Sequence, residues 1–197
     1  MTRIILASSS PRRKEFMNYL GLQYECIKPD VDETVKEGEL PEDLVLRLSK
    51  DKAFAVSSDN TDAVVIAADT VVAIDNQILG KPTNREDAFN MLKKLQGKTH
   101  EVFTGTSIVY QERIKSFCVK CSVTFDRISD DELKTYIASG ECDDKAGSYA
   151  LQGIASIFIK EVSGSVTTVI GLPINEVRKT LRELGVFIKT VSGTNNG

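Results

Sequence analysis

The stretch IILASSSPRRKEFMNYLG, residues 4–21, joins an apolar run to a helical pattern through three serines, a proline and two arginines. Arg12, Arg13 and Lys14 fall in the first turn of that helix. Backbone N–H groups there already carry partial positive charge, so each cation is unfavourable by about 0.3–1 kcal/mol. A bound anion would compensate. A strand, a small-residue turn and a helix N-terminus form an anion site in which N–H groups and serine hydroxyls such as Ser8 donate. Arginines add charge-assisted bonds to phosphate. The alternative is that Ser10 caps the helix and the arginines are solvated. The stretch is not a Walker A loop, because G-x-x-x-x-G-K-[ST] is missing.

Asp69 lies between the apolar runs 63–68 and 71–74. An ionised carboxylate entering a core needs a partner. It could hold a metal, act as a general base, pair with a lysine, or be a turn residue at a sheet edge. Lys52, on an apolar helix face, and Lys81, in LGKP, are candidate phosphate clamps, or lysines that snorkel to water. Glu33, in an acidic loop, could supply a second metal carboxylate or be solvated. Gln152, in the tight loop KAGSYALQG, offers both a donor and an acceptor and suits the edge of a planar base, or it stabilises the loop. His100 has no evident nucleophile partner and reads as structural.

The elements that must position these groups follow from periodicity. A strand is expected over 3–7, then a helix from Pro11 to about Leu20 ended by Gly21. Pro41 opens a second helix with Leu44, Val45, Leu48 and Ala55 on its apolar face. DAVVIAADTVVAID predicts a strand, an interruption and a second strand, followed by an Asp75-Asn76 turn. Thr83 or Asn84 should cap a third helix, whose Ala88, Met91, Leu92 and Leu95 follow the i, i+3, i+4, i+7 pattern. β-rich runs fill 100–125, with a turn at 111–113. Ser129 to Glu132 is a capping-box pattern. Runs 154–162 and 166–170 read as strands, and Pro173 precedes a last helix ending near Gly185. Alternating strands and helices imply an α/β protein with a central sheet.

The chain has 197 residues, 41% apolar and 27% charged, with a formal net charge of −3. That suits a soluble protein of one large domain or two small lobes. It argues against binding a nucleic-acid polymer or a membrane surface, so any anion site must be local. No run approaches a membrane span, and no signal-peptide pattern opens the chain, so a cytoplasmic location is expected. Cys118 and Cys121 form a C-x-x-C, but on a strand they face opposite sides, and His100 is the only histidine. Zinc or redox chemistry therefore lacks ligands, and the four cysteines read as reduced thiols.

Taken in order, LASSSPRRKEFMNYLG, AADTVV, ILGKP, HEVFTG, DKAGSYALQG and GLP resemble the Maf family of nucleoside triphosphate pyrophosphatases, over Ile4 to about Leu184. The resemblance implies an elongated α/β fold similar to inosine triphosphate pyrophosphatases, with a mixed central sheet bent between two lobes. One such domain would occupy residues 1–190, its lobes flanking a cleft, with 191–197 a frayed tail. It implies hydrolysis of a nucleotide at the α–β anhydride, a divalent cation (Mg²⁺ or Mn²⁺), and a role in clearing unwanted nucleotides or in arrest of division. A homodimer is one state it allows. It assigns Asp69, Lys81, Lys52 and Arg13 to catalysis and Glu33 and Asp69 to the metal. Ser8, Arg12, Thr70 and Gln152 would bind substrate, and the combination of Arg12, Thr70 and Gln152 resembles the subgroup acting on dTTP and UTP. Ala150, where glycine is frequent, and Thr167-Thr168 before GLP depart from the family pattern. Two rivals remain: a nucleotide-binding regulator of cell division with little catalysis, and a phosphatase with an aspartyl nucleophile, although DTVVA lacks the second aspartate.

Overall fold

The computed structural model describes residues 2–186. The expected frayed tail, 191–197, lies outside them. A seven-stranded sheet contains β1 (Ile4–Leu6), β2 (Glu25–Cys26), β3 (Val64–Ile74), β4 (Gln77–Leu79), β5 (Thr99–Tyr110), β6 (Arg113–Phe125) and β7 (Ile159–Ser163). Around it lie α1 (Pro11–Tyr19), α2 (Pro41–Ser57), α3 (Arg85–Leu95), α4 (Asp130–Ala138), α5 (Val166–Ile170) and α6 (Ile174–Glu183). The strand order is β2-β1-β3-β5-β6-β7, with β4 beside β3. β1 is parallel to both β2 and β3, and the remaining pairs are antiparallel, so the sheet is mixed as expected.

β3 organises the sheet. Along one edge it pairs with β5 continuously, from Val64 to Ala73. Its other edge is shared: Val64 to Ile66 pair with β1, and Val72 to Ile74 pair with β4. Between those two ladders, residues 67–71 have no strand partner on that edge among the described residues.

Three expected elements differ. DAVVIAADTVVAID is one strand, not two, because Asp69 keeps its place in the ladder opposite Gly105 while its side chain finds a cation. The run 166–170, β-branched enough to suggest a strand, is the helix α5. Side chains meet one carbonyl within it and one just after it: Thr104 Oγ1 donates to the Thr168 carbonyl at 2.8 Å and Arg13 Nε to that of Gly171 at 2.8 Å. The expected strand 154–162 begins as a 3-10 turn, Ile154–Phe158, and pairs only from Ile159. Elsewhere the local chemistry acts as its residue types dictate. Asn84 caps α3 by accepting from the Asp87 N–H, and Ser129 and Glu132 form a reciprocal capping box on α4. Asp75 and Asn76 both take positive φ, which a two-residue hairpin turn requires.

Side chains alternate along β3, so its two faces meet different helices. Val65 and Ala67 pack with Ala53 and Val56 near the end of α2, whereas Val71 and Ala73 pack with Leu44, Val45 and Leu48 near its start. On the opposite face, Val64, Ile66 and Ala68 join Phe16, Met17, Val177 and Leu181, whereas Val72 joins Leu92, Leu133 and Phe125. Each face therefore carries two apolar clusters, and a polar belt separates them. Under α2 the belt holds Ser49, Lys52, Asp69 and Ser107, all buried; on the other face it holds Thr104, Thr106 and Thr168, also buried.

His100 is structural, as its isolation in the sequence suggests. It is 1% exposed, meets Phe125 and Tyr149 edge-on, and its Nε2 hydrogen-bonds the Tyr149 hydroxyl at 2.7 Å. Burial lowers its pKa from 6.5 to about 4. The unfolded chain then binds a proton that the native chain refuses between those values. Stability must fall as the pH drops through that window, by up to about 3 kcal/mol from this group. His100→Gln is expected to have a shallower loss of stability than wild type between pH 7 and pH 4. Urea unfolding midpoints across that range check this; parallel curves for the two proteins would exclude the effect.

Candidate active site

Lys52 projects from α2 at the point where the helix passes from one apolar cluster to the next. Its ammonium contacts Asp69 Oδ1 at 2.6 Å and Glu33 Oε1 at 2.7 Å. The lysine and aspartate side chains are only 8% and 12% exposed. A buried charge of this kind is tolerable only when paired. Close approach of α2 to the sheet makes the pair possible. Gly105, directly across from Asp69, faces the Val45 carbonyl, and a Cβ there would stand 2.3 Å from that oxygen. Glu33 is brought in by a loop that Arg47 of α2 secures, donating to the Thr34 carbonyl at 3.0 Å and pairing with Glu39 at 2.6 Å. Partial burial opposes ionisation of Glu33. The Lys52 hydrogen bond and the charges of Lys52, Lys81 and Arg13 outweigh it and hold the carboxyl below its ordinary pKa.

Asp69 and Thr70 are adjacent in β3 and so point to opposite faces. Both border one cavity because the β3 edge between β1 and β4 is open. Thr70 belongs to the Arg13 side. Arg13 Nε donates to the Gly171 carbonyl at 2.8 Å, Nη1 to Ser8 Oγ at 3.4 Å and Nη2 to Thr70 Oγ1 at 3.3 Å. Ser8 Oγ also accepts from the Ser10 N–H at 3.2 Å, whereas the Ser10 side chain makes no capping bond. Ser10 thus holds the expected N-cap position without the side-chain bond, and Ser8, two residues earlier, bonds the Ser10 N–H rather than an N–H of the helix. Burial pulls the Arg13 guanidinium below its ordinary pKa; Asp69 opposes this, Arg12 adds to it and Glu33 opposes it. The group still remains cationic at neutral pH. Arg12 Nε is buried without a hydrogen-bond partner among the described residues. Such an atom points to a missing acceptor.

Ser8, Arg12, Arg13, Glu33, Lys52, Asp69, Thr70, Lys81 and Gln152 all line this single cavity of about 600 Å³. That volume is within the range that holds a small organic ligand. Lys81 and Gln152 are exposed at its margin. The cations answer the question raised by Arg12 and Arg13: neither is simply solvated at the helix end.

A hard divalent cation fits this donor set in a limited way. No group of three or more His, Cys, Asp or Glu side chains converges among the described residues. Asp69, Glu33 and Asp144 are the carboxylates that line the cavity, and Lys52 makes its closest contact with one oxygen each of Asp69 and Glu33. Mg²⁺ is commonly bound by one or two carboxylates plus substrate phosphates, which matches such a site. Cys118 and Cys121 occupy β6 at positions of opposite side-chain direction, and all four cysteines are free thiols.

Thr104 and Gly105 fall within HEVFTG but drew no site role from the sequence, and Glu141 lies outside the quoted motifs. Glu141 accepts from the Ile154 N–H at 2.7 Å and the Ala155 N–H at 3.1 Å, and from the Tyr136 hydroxyl at 3.2 Å. It thereby ties the loop after Gln152 to the end of α4. Only the GE pair following α4 marks it in the sequence.

Residues 3–184 match the family model described as Maf-like protein. A "dTTP/UTP pyrophosphatase" of Bacillus anthracis is 42% identical over 188 residues, covering 95% of this chain and 98% of that protein. One of Bacillus cereus with the same name is 43% identical over the same shares of both chains. Among solved structures, the Staphylococcus aureus Ham1 protein superposes with a TM-score of 0.52 at 16% identity, over 92% of this chain and 99% of the other. That likeness shows a shared fold.

If Glu141 secures the Gln152 loop, Glu141→Gln should release it, since one amide N–H then faces a donor. A hydrogen bond to a charged acceptor contributes about 1.5–3 kcal/mol. The Ile154 and Ala155 amides are therefore expected to exchange with deuterium at least tenfold faster, while β5 amides stay protected. Unchanged exchange at Ile154 and Ala155 would remove Glu141 from this role.

Proposed function

Because the chain belongs to the Maf family, we propose that it is a nucleoside triphosphate pyrophosphatase acting on dTTP and UTP. It releases the monophosphate and pyrophosphate and so removes unwanted nucleotides. The observation that carries the reading is the buried Lys52–Asp69 pair, joined by the more exposed Glu33, at a cavity that Arg12, Arg13 and Lys81 also line. A polyanion is the ligand for which that many cations are useful in one cleft.

Asp69 accepts the proton of the attacking water. Lys52, bonded to its Oδ1 at 2.6 Å, aims the carboxylate. Arg12, Arg13 and Lys81 bind the phosphates and stabilise the charge that develops on the pyrophosphate leaving group. Asp69 and Glu33 would hold a divalent cation, Mg²⁺ or Mn²⁺, together with the substrate phosphates, and the cation would supply further charge neutralisation and a more acidic water. Gln152 reads the pyrimidine edge through its amide, which both donates and accepts. A site that pairs the polar groups of one base rejects a base that leaves them unpaired.

No helix among the described residues is long and apolar enough to cross a membrane. The substrate is a small nucleotide, and we assign the reaction to the cytoplasm, with no nucleic-acid polymer or membrane as partner. Oligomerisation is not required by this chemistry, since every group invoked comes from one chain.

A panel of dTTP, UTP, CTP and GTP with Mg²⁺ should yield pyrophosphate, fastest from dTTP and UTP, and a chelator should abolish turnover. Asp69→Asn is expected to lower kcat by about 10²–10⁴-fold. Release of orthophosphate as the first product, or wild-type turnover by Asp69→Asn, would overturn the assignment.

A further inference from the structure

The Arg13 guanidinium is held by a chain of hydroxyls whose proton directions can be worked out. Thr104 is completely buried. Its Oγ1 lies 2.8 Å from the Thr168 carbonyl oxygen and 2.8 Å from Thr70 Oγ1. A carbonyl can only accept, so the single Thr104 proton goes to Thr168. Thr104 must then accept from Thr70, whose own single proton is thereby committed inward. Arg13 Nη2, 3.3 Å away, can only donate, and Thr70 Oγ1 accepts from it with a remaining lone pair. Every donor and acceptor in the sequence Arg13, Thr70, Thr104, Thr168 is matched in one way only. The same guanidinium is fixed from its other side by the Gly171 carbonyl, in the backbone that follows α5. Thr70 and Thr104 are directly opposed on β3 and β5, so the chain crosses the sheet where the ladder is continuous.

We propose that Thr104 is a positioning residue: through Thr70 it orients Arg13 toward the phosphates. The proposal rests on the cavity being a nucleotide site. Removing the Thr104 hydroxyl frees the Thr70 proton, loosens Arg13 and leaves the Thr168 carbonyl without that donor.

The test uses Thr104→Val, which keeps the shape and removes the hydroxyl, with Thr104→Ser as the conservative control. Inorganic pyrophosphate serves as a probe that has no base, and its Kd is measured by calorimetry with Mg²⁺ present. Thr104→Val should weaken pyrophosphate about tenfold, and Thr104→Ser should return it to within about twofold of wild type. In turnover, Thr104→Val should lower kcat/KM for UTP, dTTP and GTP by a common factor, leaving their ratios unchanged. In an Arg13→Lys background the Thr104→Val effect should largely vanish. Wild-type pyrophosphate binding by Thr104→Val, an undiminished effect in the Arg13→Lys background, or a change confined to base ratios would overturn the proposal. Should Thr104→Val not fold, Thr70→Val is measured in its place and must give the same loss of pyrophosphate affinity. A wild-type protein that binds pyrophosphate but hydrolyses no nucleotide would refute the enzymatic reading while leaving the Thr104 result to stand or fall by Kd.

Discussion

The structure depends on a buried ammonium. Lys52 is 6% exposed as a residue and lies between two carboxylates, one on β3 and one on the loop before α2. Taking such charges out of water is expensive, and removing one partner of a buried pair typically costs about 3–5 kcal/mol. A well-packed apolar residue at position 52 would join the clusters on either side of it at less cost. What the lysine provides is a fixed orientation of the Asp69 carboxylate beside a cavity. The site is thus built at the expense of a continuous core. The local excess of cations also explains how a chain of net charge −3 can present a polyanion site.

The same seam organises both faces of the sheet. β3 runs the whole length, yet its apolar residues pass from one cluster to another at Asp69 and Thr70. Beneath α2 the transition is bridged by Lys52 and by the buried Ser49–Ser107 hydroxyl pair at 2.8 Å. On the other face it is bridged by Thr70, Thr104 and Arg13. Two adjacent residues of one strand cannot face the same way, so one cavity can use both only by wrapping round an exposed strand edge. The gap between β1 and β4 supplies that edge. This is why the ordinary alternation of a strand yields a carboxylate on one wall and an arginine anchor on the other.

Much of this was legible from residue types. Caps at Asn84 and Ser129, the Asp75-Asn76 turn and the periodicity of α3 are local signals, and local chemistry decides them. The charged site residues were legible because each is costly where it lies: arginines at a helix N-terminus, Asp69 amid apolar residues, Lys52 on a buried face. What failed was decided by distant contacts. Residues 166–170 have strand propensity, but the Thr168 carbonyl is taken by Thr104 and that of Gly171, just beyond, by Arg13, both 60 or more positions earlier. Asp69 looked like an interruption because its partner, on α2, is not a sequence neighbour. Gly105 and Glu141 act through packing and backbone amides, and neither carries a spacing pattern.

A crystal structure with Mg²⁺ and the non-hydrolysable α,β-imido analogue of UTP bears on the central claim with the fewest assumptions. The phosphates should lie between Arg13, Lys52 and Lys81, with the α-phosphorus facing the Asp69 carboxylate and the uracil toward Gln152. A nucleotide seated elsewhere, for instance in the shallow groove beside Phe89 and Lys134, or one whose phosphates avoid Asp69, would contradict it.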